Sequence, residues 1–144
     1  MGTYEAFDHT ADVGLEVRGK NFGDVLATAA DAVFDQMLED RPDAVAATDT
    51  VDVRCDPDLA PDPSEVLVAW LQELLYRFET DHLVPIRIDM DEATGEGVRA
   101  RVAFGRFDPE RHAARLEVKA VTYHGLQVAE APDGSWRARM ILDV

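Results

Sequence analysis

Asp8, His9 and Asp12 fall within five residues of one another in FDHTADVGLEVRG, residues 7–19. Two carboxylates and an imidazole are the donor types of a metal site or of acid–base chemistry. A simple turn can carry the same residues. A second group lies late in the chain, in EVKAVTYHGL, which holds Lys119, Tyr123 and His124. The third is ILDV, where Asp143 is followed by Val144 and its α-carboxylate. Two adjacent anions on an ordered strand repel unless a cation joins them. A hard divalent ion with oxygen ligands would serve, and so would Lys119 or an arginine. A frayed, solvated end needs neither.

Other chemistries find fewer parts. Cys55 has no histidine near it in sequence, and no serine lies in a G-x-S-x-G turn. There is no phosphate-binding G-x-x-x-x-G-K loop and no G-x-G-x-x-G. One cysteine and four scattered histidines make zinc a poor fit. The stretch DEATGEG, residues 91–97, mimics a calcium loop through Asp89 and Asp91. Its fifth position would be Ala93, and neither the glycine nor the closing glutamate falls in place, so it reads as a hairpin. Asp56, Asp58 and Asp62 in DPDLAPDPSE read as turn formers and a cap. A stand-alone enzyme would have to be a metal-dependent hydrolase built on Asp12, Asp143 and His124, which is the weakest of the readings.

The elements that must position these groups are legible from periodicity. Residues 3–8 and 13–18 read as short strands, the second ending at Gly19. NFGDVLATAADAVFDQML places Phe22, Val25, Leu26, Ala29, Val33 and Met37 at helical spacing, with Asn21 as N-cap and an end before Pro42. TVDVRC reads as a strand. Asp62 followed by Pro63, with Glu65 three residues on, starts a second helix, whose apolar face carries Val66, Leu67, Trp70, Leu71, Leu74 and Phe78. Strands follow: VPIRIDM, VRARVAF, a long ARLEVKAVTYHGLQVAEA, a PDGS turn and WRARMILDV. In that long stretch, alternation would put Leu116, Val118 and Ala120 on one face and Glu117, Lys119 and Val121 on the other. The fold class is α+β, two amphipathic helices packed on a mainly antiparallel β-sheet, in one domain over 1–144.

Bulk properties narrow the partners. The net charge of −15 disfavours direct contact with nucleic-acid phosphates. It suits either docking on a basic partner or solubility in a salty milieu. A single cysteine, the lack of a long apolar run and an N-terminus unlike a signal peptide fit a reducing, cytoplasmic setting with no membrane. Only Lys20 and Lys119 are lysines, against twelve arginines, so a lysine in an apolar strand stands out.

Three segments together, YEAFDHTADVGLEVRG, EVKAVTYHGLQV and the final ILDV, resemble the archease family. The resemblance covers nearly the whole chain. It implies a small acidic accessory protein of the GTP-dependent tRNA-splicing RNA ligase, one that promotes ligase guanylylation and repeated turnover in tRNA splicing. It implies a divalent ion, Ca2+ or another, on Asp12, Asp143 and the Val144 carboxylate or carbonyl. It gives Lys119 a functional role, and leaves the catalytic centre to the ligase. Some relatives have an Asp-Glu pair after the second helix; here it is Asp81 and His82, which puts the second acid in doubt. Asp8 and His9 would orient Asp12 or cap a turn. The competing expectation is an acidic, cation-binding, chaperone-like interaction module with no ligase role.

Overall fold

The computed structural model describes residues 2–9 and 12–144, with every side chain among them except those of Asp8 and His9. The chain runs β1 (Thr3–His9), β2 (Asp12–Gly19), α1 (Phe22–Met37), β3 (Ala47–Arg54), α2 (Pro63–Asp81), β4 (Leu83–Thr94), β5 (Gly97–Arg106), β6 (Ala120–Glu130) and β7 (Trp136–Asp143). The α+β expectation holds. The strands divide, however, into two antiparallel sheets, ordered β1-β2-β7-β6 and β3-β5-β4.

Local chemistry sets the helix ends. Asn21 Oδ1 accepts from the Asp24 N–H at 2.8 Å, and Asp24 Oδ2 accepts from the Lys20 N–H at 3.0 Å. The first bond satisfies one of the helix start's unpaired donors, and the second ties the residue before the cap to the first turn. Asp62 caps α2 by accepting from the Ser64 N–H at 2.9 Å, with Pro63 just inside. Asp56 accepts from the Asp58 N–H at 2.9 Å, a turn former as expected. The hairpin between β4 and β5 is tighter than its sequence implies. Asp89, Asp91 and Thr94 belong to β4, and only Gly95 and Glu96 form the turn.

Each helix packs on both sheets, α1 against β2 and β4, α2 against β4 and β6. One continuous core results, built of Leu15 and Val17 from β2, Met140 and Leu142 from β7, Val102 and Phe104 from β5 and the apolar faces of both helices. The Trp70 indole joins the helices: fully buried, it donates to the Leu26 carbonyl oxygen at 2.9 Å. No polar or charged residue is buried among the described residues, so the charge lies at the surface.

The long late stretch departs from its expected alternation. Residues 115–119 are not strand, and β6 begins at Ala120. Val118 and Val121 are both buried, 3% and 2% exposed, because the chain changes course between them. Here the isolated Leu38–Ala114 bridge and the Arg115 and Leu116 N–H groups, donating to the Met37 carbonyl, tie 114–116 to the end of α1 instead. β6 is interrupted in turn by a bulge between Thr122 and Gln127, where Gly125 adopts the left-handed φ of 67°.

Trp70→Phe would keep most of the buried area but remove the indole donor and leave a small void. It should destabilise the fold by about 1–3 kcal/mol, read as a lower urea midpoint with an unchanged m-value.

Candidate functional site

The β2–β7 ladder brings the first and third groups together. Val13 lies opposite Leu142, and one step further along the same register Asp12 comes opposite Asp143. Residues directly opposed in an antiparallel pair share a face, with Cβ atoms about 4.5–5.5 Å apart. Leu15, Val17, Met140 and Leu142 are buried against the helices, so Asp12 and Asp143 occupy the other, outer face. Asp143 is exposed and Asp12 half-buried. On the far side of β7, Ala120 lies opposite Asp143, and the Lys119 N–H donates to the Asp143 carbonyl oxygen at 2.8 Å. Asp12, Asp143, Val144 and Lys119, far apart in sequence, thus meet at one end of the four-stranded sheet. Lys119 is exposed. Its exposure comes from the irregular backbone before β6, not from the strand alternation expected of it.

The donor chemistry fits a hard cation. Two carboxylates on one face at cross-strand spacing, with the main-chain oxygens of Val144 next along, are oxygen donors of the kind Ca2+ takes at about 2.3–2.6 Å. Among the described residues no group of three or more His, Cys, Asp or Glu side chains is arranged for a metal. An ion here would need main-chain oxygen and water to complete its shell.

The remaining candidates are placed as follows. The Asp8 and His9 side chains lie outside the described residues; their backbones pair with Val13 and Asp12. Asp81 ends α2 and its carbonyl accepts from Arg106 Nη1 at 2.7 Å. His82 is the helix C-cap, at a left-handed φ of 58°, its N–H donating to the Phe78 carbonyl and its ring against Phe78. His124 sits on β6 within the bulge between Thr122 and Gln127.

A cleft of about 920 Å3 lies elsewhere, lined by Cys55, Asp62, Glu65, Glu96 and Tyr123 among others. Burial pushes the Cys55 thiol up from its ordinary value, and the Glu65 and Asp62 carboxylates add to this. Burial likewise raises the Tyr123 phenol, whose hydroxyl donates to Glu65 Oε2 at 3.2 Å. A thiol held protonated by acids is the reverse of a catalytic nucleophile.

A two-sheet α+β chain with an acid-and-lysine sheet end is the class of protein that the fold and site define. The model of the Archease protein family (MTH1598/TM1083) matches residues 4–144. Curated archeases are similar over their whole length: that of Pyrococcus furiosus at 30% identity, covering 100% of both chains, and that of Methanopyrus kandleri at 36%, covering 98% of this chain and 99% of the other. The solution structure of Methanobacterium thermoautotrophicum protein 1598 superposes with a TM-score of 0.75 at 29% identity, covering 98% of each chain. The chain belongs to the archease family.

Two outcomes are expected. Millimolar calcium or magnesium should raise the melting temperature, since a ligand held only by the folded state stabilises it by mass action. Asp12→Asn or Asp143→Asn should blunt the rise, and the absence of any shift with any divalent ion would remove the metal reading. Cys55 should react with iodoacetamide at pH 8 more slowly than free cysteine, because its raised pKa leaves less thiolate there; Glu65→Gln should speed the reaction.

Proposed function

We propose that this protein activates a GTP-dependent tRNA-splicing RNA ligase, promoting the ligase's guanylylation and its repeated turnover. The observation that carries the proposal is the convergence of the three archease-like segments on one sheet end. Asp12 comes from the first, Lys119 from the second and Asp143 from the third, joined by the β2–β7 ladder and the Lys119–Asp143 hydrogen bond. Sequence similarity alone would not require them to meet.

The chain's own residues suggest how help is given. Lys119 is an exposed ammonium tethered by its backbone to the strand that carries Asp143. A lysine anchored here by its backbone can present its ammonium to negative charge developing on a partner's nucleotide, where docking would fix it. Donors fixed before the reaction lower a barrier more than they tighten ground-state binding. Asp12, Asp143 and Val144 would hold the divalent ion, which supplies further positive charge when bound. The chain's net charge of −15 suits a basic cleft on the partner and would speed encounter more than it adds affinity.

The deciding experiment mixes purified protein, the cognate ligase at sub-stoichiometric level, labelled GTP and cleaved tRNA. Multiple turnovers are expected only with the protein present. Equal turnover without it, across a range of salt and divalent ions, would leave the acidic interaction module as the better account. Lys119→Ala should change stability by no more than about 0.5 kcal/mol, as exposed positions usually do, while abolishing stimulation. Loss of folding with activity retained per folded molecule would make Lys119 structural.

A further inference from the structure

The outer face of the four-stranded sheet carries a cluster of positive charge that the acidic composition hides. Its rows follow from the ladder. Above the Asp12–Asp143 row comes Gly14 opposite Ile141, then Glu16 opposite Arg139, then Arg18 opposite Arg137. Like charges placed directly opposite one another destabilise a sheet, yet Arg18 and Arg137 are so placed, both exposed. Arg18 is offset by Glu16, to which its Nη2 donates at 3.0 Å. That engages the one carboxylate in these two β2–β7 rows. Across the sheet on β6, Arg137 and Arg139 face Ala129 and Gln127, and among the described residues neither arginine has an acidic partner. The Arg139 guanidinium lies 4.1 Å from the centroid of the Phe7 ring, which holds its plane while leaving its N–H edge open. Arg137, Arg139, Gln127 and Ser64 line an open depression of about 550 Å3, with Glu16 at its margin.

Arg137 and Arg139 thus stand two residues apart on one face, with Glu16, the carboxylate opposite Arg139, engaged by Arg18. Alternate residues of a strand on one face lie about 7 Å apart, a step comparable with that between successive phosphates of an extended strand. Arginine forks match phosphate oxygens in pairs, and Gln127 and Ser64 add neutral donors at the same depression.

We infer that Arg137 and Arg139 form a phosphate-contacting track on the outer face of the four-stranded sheet, and that its ligand is the backbone of single-stranded RNA. The choice of RNA over another phosphate-bearing molecule rests on the proposed ligase role; the arginine geometry does not. The track runs along the same face as the Asp12–Asp143 row, so a strand lying on it would point toward that end of the sheet. The net charge of −15 still makes contact weak and steeply salt-dependent when the protein is alone. The track is a local exception to the expectation, drawn from net charge, of no direct nucleic-acid contact.

The test needs no ligase, which separates it from the turnover assay above. 15N-labelled protein is titrated at low salt with a short unstructured oligouridylate, following the arginine side-chain and β6–β7 backbone signals. Arg137→Gln/Arg139→Gln should weaken binding on the order of tenfold, and should reduce the slope of log affinity against log salt by about 1.4, roughly 0.7 per lost phosphate contact. Removing Arg137 relieves its repulsion by Arg18 while removing Arg139 loses its contact with Phe7, so the double variant should melt close to the parent. Arg137→Lys/Arg139→Lys should keep the salt slope, and an oligomer with uncharged methylphosphonate linkages should move nothing. The proposal is overturned if the oligouridylate leaves the β7 signals unmoved, if the glutamine variant binds as well as the parent, or if a serine-phosphorylated peptide moves these signals and RNA does not.

Discussion

The pairing of β2 with β7 is the constraint on which the rest of the molecule depends. It joins residues 13–19 to residues 136–142, so the loop it closes contains both helices and the whole three-stranded sheet. Closing a loop of that length costs entropy that local contacts do not repay. The return comes from the buried side of the ladder, where Leu15, Val17, Ala138, Met140 and Leu142 meet the helices. The same register fixes the exposed side without further instruction. Once Leu15 lies opposite Met140, Asp12 must come opposite Asp143 and Arg18 opposite Arg137. Core packing and surface chemistry are two faces of one alignment, and a slip of one residue would destroy both.

The helices act as the joint between two sheets that share no hydrogen bonds in their strand order. α1 reaches from β2 to β4 and α2 from β4 to β6, with the Trp70–Leu26 hydrogen bond between them. With no charged residue buried among the described ones, stability comes from apolar burial. Ion pairs such as Arg77 with Asp49 and Glu73, or Arg54 with Glu92, lie at the surface, where such pairs contribute little each. The acidity is therefore free to serve recognition or solubility without taxing the core.

Sequence patterns revealed the helices almost to the residue, because capping and periodicity are local. Asn21 and Asp62 announce their helices by chemistry acting within three residues. The division of the strands into two sheets was not legible, since an alternating strand carries no label for its neighbour. The stretch before β6 misled for a related reason: Leu116 to Lys119 look like alternation, but hydrogen bonds from the Arg115 and Leu116 N–H groups to Met37 hold the start of that stretch out of the sheet, which the chain rejoins only at Lys119. Asp12, Asp143 and Lys119 were visible as candidates through residue type and family resemblance, whereas the backbone link between Lys119 and Asp143 needed the register. The arginine pairing was hidden completely. Arg18 and Arg137 are unremarkable in their own segments, and only the ladder sets them face to face.

The place of β7 in the chain also has a consequence for how the protein is made. On a ribosome, β1, β2 and both helices emerge well before residues 136–143 exist. Until then the β1–β2 hairpin has one edge unpaired, and a lone hairpin is marginal in water. Leu15 and Val17 can find α1 early, but the neighbouring edge stays open to any other extended chain. Nascent chains that stall before β7 would thus be sticky rather than merely inactive, and the acidic surface already synthesised would be what keeps them apart in a crowded polysome.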